Sequence, residues 1–192
     1  MLNSTSRLRI FAAAIAAATA MALAAAPPGW FLAGNQPANY DTGVDPQALN
    51  NGRPSAYLKA KSDQAGFGTL MQNFAAESYL GKRVRFSGFV KSAGVTRWAG
   101  LWMRVDGKQG TAPLSFDNMQ NRAITGTTVW QLYEVVLDVP QGATGIFFGI
   151  LLDGPGEVWL NSTNFEVVSA AVPTTDKLGQ KATGPTNLSF DK

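Results

Sequence analysis

From residue 55 to residue 168 the chain breaks into short runs in which apolar and polar side chains alternate, separated by glycine, proline, asparagine or aspartate. A period of two marks a half-buried strand, and this stretch shows no strong amphipathic stripe at helical spacing. Strands are expected near 55–61 (SAYLKAK), 67–73 (GFGTLMQ), 82–91 (KRVRFSGFVK) and 97–106 (RWAGLWMRVD). More are expected near 113–118 (PLSFDN), 131–139 (QLYEVVLDV), 144–152 (TGIFFGILL) and 157–168 (EVWLNSTNFEVV). This succession predicts an all-β fold, an antiparallel sandwich of the jelly-roll type. A helical turn is expected within 74–82 (FAAESYLGK), and the breaker-rich segment 27–52 reads as turns and irregular backbone. There is no internal repeat.

Alternation also assigns faces. In 82–91, Val84, Phe86, Gly88 and Val90 share one side; in 131–139, Tyr133, Val135, Leu137 and Val139 point inward while Glu134 and Asp138 point out. In 97–106 the core set is Ala99, Leu101, Met103 and Val105. The opposite set is Trp98, Gly100, Trp102, Arg104 and Asp106, an unusual composition for a solvent face. It is either a platform for a flat ligand or a second packed layer. The run IFFGILL is apolar on both sides, so it lies under cover or lines a concave surface; Phe147, Gly149 and Leu151 form one set, and the pattern leaves open which set points out.

The two ends read differently from the middle. Arg7 and Arg9 precede IFAAAIAAATAMALAAA, the pattern of a secretory signal peptide over 1–24 with an Ala22-Leu23-Ala24 cleavage site. The expected mature protein is therefore exported, periplasmic or secreted, and no second apolar run could span a membrane. Without Arg7 and Arg9 the 16 basic residues become 14 against 13 acidic ones, so no basic stripe for nucleic acid is expected. Residues 169–192 are polar and breaker-rich, the composition of a flexible tail. Within them Asn187-Leu188-Ser189-Phe190-Asp191 (187–191) could form an edge strand that buries Leu188 and Phe190, in its own molecule or in a neighbour, which would make a homo-oligomer.

The chain has no cysteine and no histidine. Disulfides, Cys–His and Ser–His nucleophile systems, and zinc sites built on those residues are excluded. Carboxylate chemistry survives, but Glu134 and Asp138 stand about 13 Å apart at the usual strand rise, too far for either glycosidase geometry. No catalytic residue is assigned.

Several strings together, GWFLAGN, YLGKRVRFSGFVKS, WAGLWMRVDG, the stretch from Gly126 to Pro140 and GIFFGILLDGPGEVWL, resemble a bacterial galactose-binding-domain-like β-sandwich family. That family is similar to the carbohydrate-binding modules, and its relatives stand alone or are joined to hydrolases or transcription regulators. The resemblance spans Gly29 to about Val168 and implies one sandwich domain over 27–168. It implies a fold and no single activity. Similar modules often hold a structural calcium through an aspartate after the Trp-hydrophobic pair. Here Trp159-Leu160 is followed by Asn161-Ser162, which puts calcium in doubt.

The expected ligand site is Trp98, Trp102 and Arg104, with Arg85 and Phe89 on a neighbouring strand of the same face. An indole stacks on the apolar face of a sugar ring, and a guanidinium donates to its hydroxyls in fixed fork geometry. The leading expectation is an exported, non-catalytic domain for carbohydrate or a similar polyhydroxylated polymer. The alternatives are a structural or protein-interaction domain of the cell envelope and a sensor module related to the regulator-fused relatives.

Overall fold

The computed structural model describes residues 25–63, 66–176 and 188–189. The segment expected to be a signal peptide, 1–24, lies outside the described residues. Nine strands follow in order: β1 (Phe31–Gly34), β2 (Tyr40–Asn50), β3 (Arg53–Ala60), β4 (Phe67–Ala75), β5 (Arg83–Asp106), β6 (Ser115–Asp117), β7 (Ile124–Asp138), β8 (Gly145–Asp153) and β9 (Glu157–Val168). Every pairing is antiparallel.

The two strands expected at 82–91 and 97–106 are one, the 24-residue β5. Its first half pairs with β9 on one side and β7 on the other, giving a layer β2-β3-β9-β5-β7. Its second half pairs with β8 and β6, giving a layer β1-β4-β8-β5-β6. Between the halves the register with β7 shifts repeatedly from Val90 to Ala99, and Gly94 takes a φ of 59°, which eases the strand from one layer into the other. The sandwich expected from the sequence is therefore a single sheet curled around β5.

The core lies between the layers, and the residues assigned inward by alternation are there. Val84, Phe86, Val90, Ala99, Leu101, Met103, Val105, Val135 and Leu137 are fully buried. Phe148 of β8 meets Phe86 of the other layer at 4.8 Å and Phe165 of β9 at 5.2 Å, in the tilted and edge-on geometries aromatic pairs favour. The expected turn in 74–82 is a short 3-10 turn at Glu77–Tyr79.

Segment 27–52 departs from expectation, since it contains β1 and β2. Its breakers have local solutions. Pro46 falls where the β2–β3 register shifts, so its missing N–H costs no ladder bond, and the Asp45 carboxylate accepts from the backbone N–H of Gln47 and Ala48. Asn51 and Gly52 both take positive φ, the two-residue turn that closes a tight hairpin.

The chain beyond β9 also departs from the flexible tail expected from 169. Arg83 donates to the carbonyl of Ala170 at 2.8 Å, and the Thr175 N–H donates to the Val136 carbonyl at 2.8 Å. The Val136 N–H donates to the Thr175 hydroxyl, and the Phe116 N–H to the Asp176 carboxylate. Polar side chains here cap the exposed backbone of β6 and β7, which is why Val136, on the outward side of β7, is fully buried. Leu188 sits in a turn and is 74% exposed, against the burial expected for it, while Phe190 and the rest of 187–191 except Leu188 and Ser189 lie outside the described residues.

A chain ending at Val168 should be less stable than one ending at Asp176 by about 2 kcal/mol, from lost edge hydrogen bonds and exposure of Val136. At this size that is roughly 4–8 °C in melting midpoint. Equal midpoints for the two truncations would show that the docked segment contributes nothing.

Candidate ligand-binding groove

The register of the β1-β4-β8-β5-β6 layer fixes which side chains share its outer face. Phe31, Met71, Gly149 and Trp102 form one cross-strand row; Ala33, Thr69, Leu151 and Gly100 form the next. Phe67, Asp153 and Trp98 close one end, and Phe147, Arg104 and Phe116 stand toward the other. All of these but the two glycines line a concave depression of about 660 Å³, with Asn118 and Gln120 of the following loop as part of its wall.

The second tryptophan explains the odd composition of this face. Trp102 is only 8% exposed, and its indole reaches across β8 to donate to the Thr69 hydroxyl on β4 at 2.7 Å. Thr69 passes the bond on to the Ile150 carbonyl at 2.8 Å. Gly149 lies between Trp102 and Met71 in that row, and a Cβ there would collide with the Leu70 carbonyl. Trp102, Met71 and Leu151 form a second, smaller core with Trp98, Phe116 and Phe147 packed on it. Trp102 thus belongs to a second packed layer and forms the buried floor, while Trp98 is a half-buried wall of the groove.

Gly100 is bare for another reason. A Cβ there would sit 2.9 Å from the Met119 Cβ and 3.1 Å from the Asn118 carbonyl. The loop that comes so close is held by Asp117, a fully buried carboxylate that accepts from the Met119 N–H at 2.9 Å and pairs with Arg122 at 2.5 Å. Met119 takes a φ of 60° and buries its side chain. Asp117 and Asn118 thus shape the turn, as FDNM suggests.

Arg104 stands at one end of the groove, its guanidinium 4.9 Å from the centre of the Phe147 ring and bonded to Asp106 at 2.8 Å. Its Nε is buried with no hydrogen-bond partner among the described residues. At the other end Asp153 pairs with Arg97 at 3.0 Å. The groove's two charged ends are thereby largely neutral.

Arg85 and Phe89 are not in this groove. They lie on the first half of β5, in the other layer, where Arg85 is engaged by Glu166 at 2.6 Å and Glu134 at 3.3 Å. The Glu166 hydrogen bond pushes the Arg85 pKa further up. The expectation failed because 82–91 and 97–106 were read as neighbouring strands, whereas they are halves of one strand that changes layers. Phe31, Phe67 and Phe116 were not anticipated as groove residues; Phe31 is 41% exposed and lines the groove. Their signal was present in strand parity once the partners were known. Trp130 and Trp159 are structural, donating to the Leu49 carbonyl and the Asp45 carboxylate.

Asn161 does not fit a cation site. Its amide nitrogen donates to the carbonyls of Arg53 and Pro54 at 3.0 Å each and to the Ser55 hydroxyl at 2.8 Å. Two carbonyls can only accept, so the group between them must donate. Among the described residues no three acidic side chains gather around a point that could hold a metal. Asn161→Asp should cost about 1–3 kcal/mol of stability by setting a carboxylate against those acceptors, and EDTA should leave the wild-type melting midpoint unchanged. A midpoint that drops with EDTA would contradict this assignment.

No family model matches the sequence. An uncharacterized HTH-type transcriptional regulator of Bacillus subtilis strain 168, YbfP, is 46% identical over 168 residues, 85% of this chain. The match spans 57% of that protein's length. Among solved structures, the CBM22-1 xylan-binding domain of Paenibacillus barcinonensis Xyn10C superposes with a TM-score of 0.55 at 15% identity, covering 77% of this chain and 91% of that one. The C-terminal family 22 carbohydrate-binding module of Clostridium thermocellum Xyn10B gives 0.55 at 12% identity, covering 76% and 89%. A cyclase from Fischerella sp. TAU shares the fold as well. At such identities the likeness establishes the fold alone, an antiparallel β-sandwich.

Proposed function

We propose that this chain is an exported, non-catalytic domain that binds carbohydrate in the groove over Trp98, Trp102 and Phe147. The observation that carries the reading is the groove itself: a concave sheet face with aromatic walls, a locked indole floor and polar groups at its ends. Stacking on sugar faces and hydrogen bonding to hydroxyls need that combination. The xylan-binding domain of the same fold supports the choice of ligand class. The basic and apolar start of the sequence supports export.

The groove's carboxylates support a binding role. Asp153 lines one end and Asp106 stands just past the other, in rows eight residues apart along β8, about 26 Å at the usual strand rise. Each is already paired with an arginine. Two acids so placed cannot flank one glycosidic bond. The regulator-type relative favours a second reading, in which the same groove senses a ligand for an attached domain.

The test is affinity electrophoresis through soluble xylan and glucan gels, with pull-down on insoluble xylan and cellulose. Wild type should be retarded or retained. Trp98→Ala and Phe147→Ala should each weaken binding several-fold, about 1 kcal/mol per lost stacking contact. Arg85→Ala, on the other layer, should be silent, and no polysaccharide should be hydrolysed. Retention that ignores Trp98 and Phe147 but needs Arg85 would move the site out of the groove. Trp102 is unsuited to this test, because replacing a floor residue alters stability together with binding.

A further inference from the structure

Phe147 lines two depressions. Beyond the aromatic groove, on the other side of its ring, lies a second basin of about 420 Å³ between the end of β4 and the loop after β5. Asn73, Asp106, Lys108, Thr111 and Thr144 line it. Phe147 and the bonded Arg104–Asp106 pair, of which Arg104 lines the first hollow and Asp106 the second, stand as a ridge between the two.

The basin is anchored. The Asp106 carbonyl accepts from the Thr144 N–H at 2.8 Å, the Gly107 carbonyl accepts from the Thr144 hydroxyl at 2.7 Å, and the Thr111 hydroxyl closes the loop on the Lys108 carbonyl at 2.6 Å. Within this fixed frame the side-chain amide of Asn73 and the ammonium of Lys108 are exposed, and neither has a hydrogen-bond or ion-pair partner among the described residues. They approach the basin from different elements. The register gives its direction: Trp98 with Asp153 marks one extremity and Asp106 with Gly145 the other, so the two hollows follow each other along the strands.

We propose that the two hollows form one binding groove, and that its ligand is a linear, equatorially linked glycan long enough to cross the Phe147 ridge. Sugar faces lie on the aromatic half, while Asn73 and Lys108 take hydroxyl oxygens of the units beyond the ridge. A run of about 26 Å accepts several pyranose units, and an extended ribbon suits a straight path along strands. This rests on the carbohydrate reading above and deepens it by naming chain length as what the site selects.

Isothermal titration of wild type and of an Asn73→Ala, Lys108→Ala double variant, with xylobiose, xylotetraose and xylohexaose and the matching cello-oligosaccharides, tests the proposal. Both substituted residues are exposed, so folding should be unaffected. For wild type the affinity should rise at least tenfold from disaccharide to hexasaccharide in the series that binds. The double variant should lose about that gain for the hexasaccharide while binding the disaccharide as wild type does. Binding that is independent of length, or a double variant matching wild type on the hexasaccharide, would confine the ligand to the aromatic half and overturn the extension alone. Absence of binding at every length would overturn the carbohydrate reading with it.

Discussion

Everything in this domain hangs on β5 running unbroken through both layers. One side of its second half feeds the core with Ala99, Leu101, Met103 and Val105, and the other feeds the groove with Trp98, Trp102 and Arg104. Because side chains alternate strictly along a strand, the two sets are locked to each other. A one-residue slip against β8 would put indoles into the core and methyl groups into the groove. The aromatic contacts of Phe148 with Phe86 and Phe165 oppose such a slip, since they join the layers through the neighbouring strand. Packing in the core thereby sets the geometry of the site.

The groove differs from a loop-built pocket in being mostly sheet. Its floor is held by a chain of hydrogen bonds from the Trp102 indole through Thr69 to the Ile150 carbonyl, so little order remains to be imposed when a ligand arrives. Its loop wall is fixed by the fully buried Asp117 pairing with the partly exposed Arg122, whose loss would strand the Asp117 charge. Its charged ends are internally compensated. Recognition in such a site falls to shape, stacking and hydrogen bonds, with little long-range attraction, which suits a neutral ligand better than a polyanion.

Most of the fold was legible in the sequence because strand alternation is local. Residues 131–139 needed no partner to reveal their faces, whereas 144–152, apolar on both sides, needed the register with β4 and β5. β2 was hidden because Pro46 and Gly43 argue against a strand, and only pairing with β3 and a register shift accommodate them. Part of the groove's lining was legible for the same local reason: Trp98, Trp102 and Arg104 sit on one strand. The rest was not, since Phe31, Phe67 and Phe116 join the groove through four strands whose order is a property of topology. Arg85 and Phe89 were misplaced by the same gap, because periodicity cannot say where a long strand leaves one layer for another.

The most direct test of the central claim is to watch the five tryptophans during titration with xylohexaose or cellohexaose, by their indole N–H signals in a nitrogen–proton correlation spectrum. The account predicts that the Trp98 signal moves most as the groove fills. The Trp102 signal, its N–H held by Thr69, should move less, and the signals of Trp130 and Trp159 should stay in place. Changes centred on Trp130 and Trp159 with Trp98 unmoved would contradict it, because they would put the ligand on the other layer.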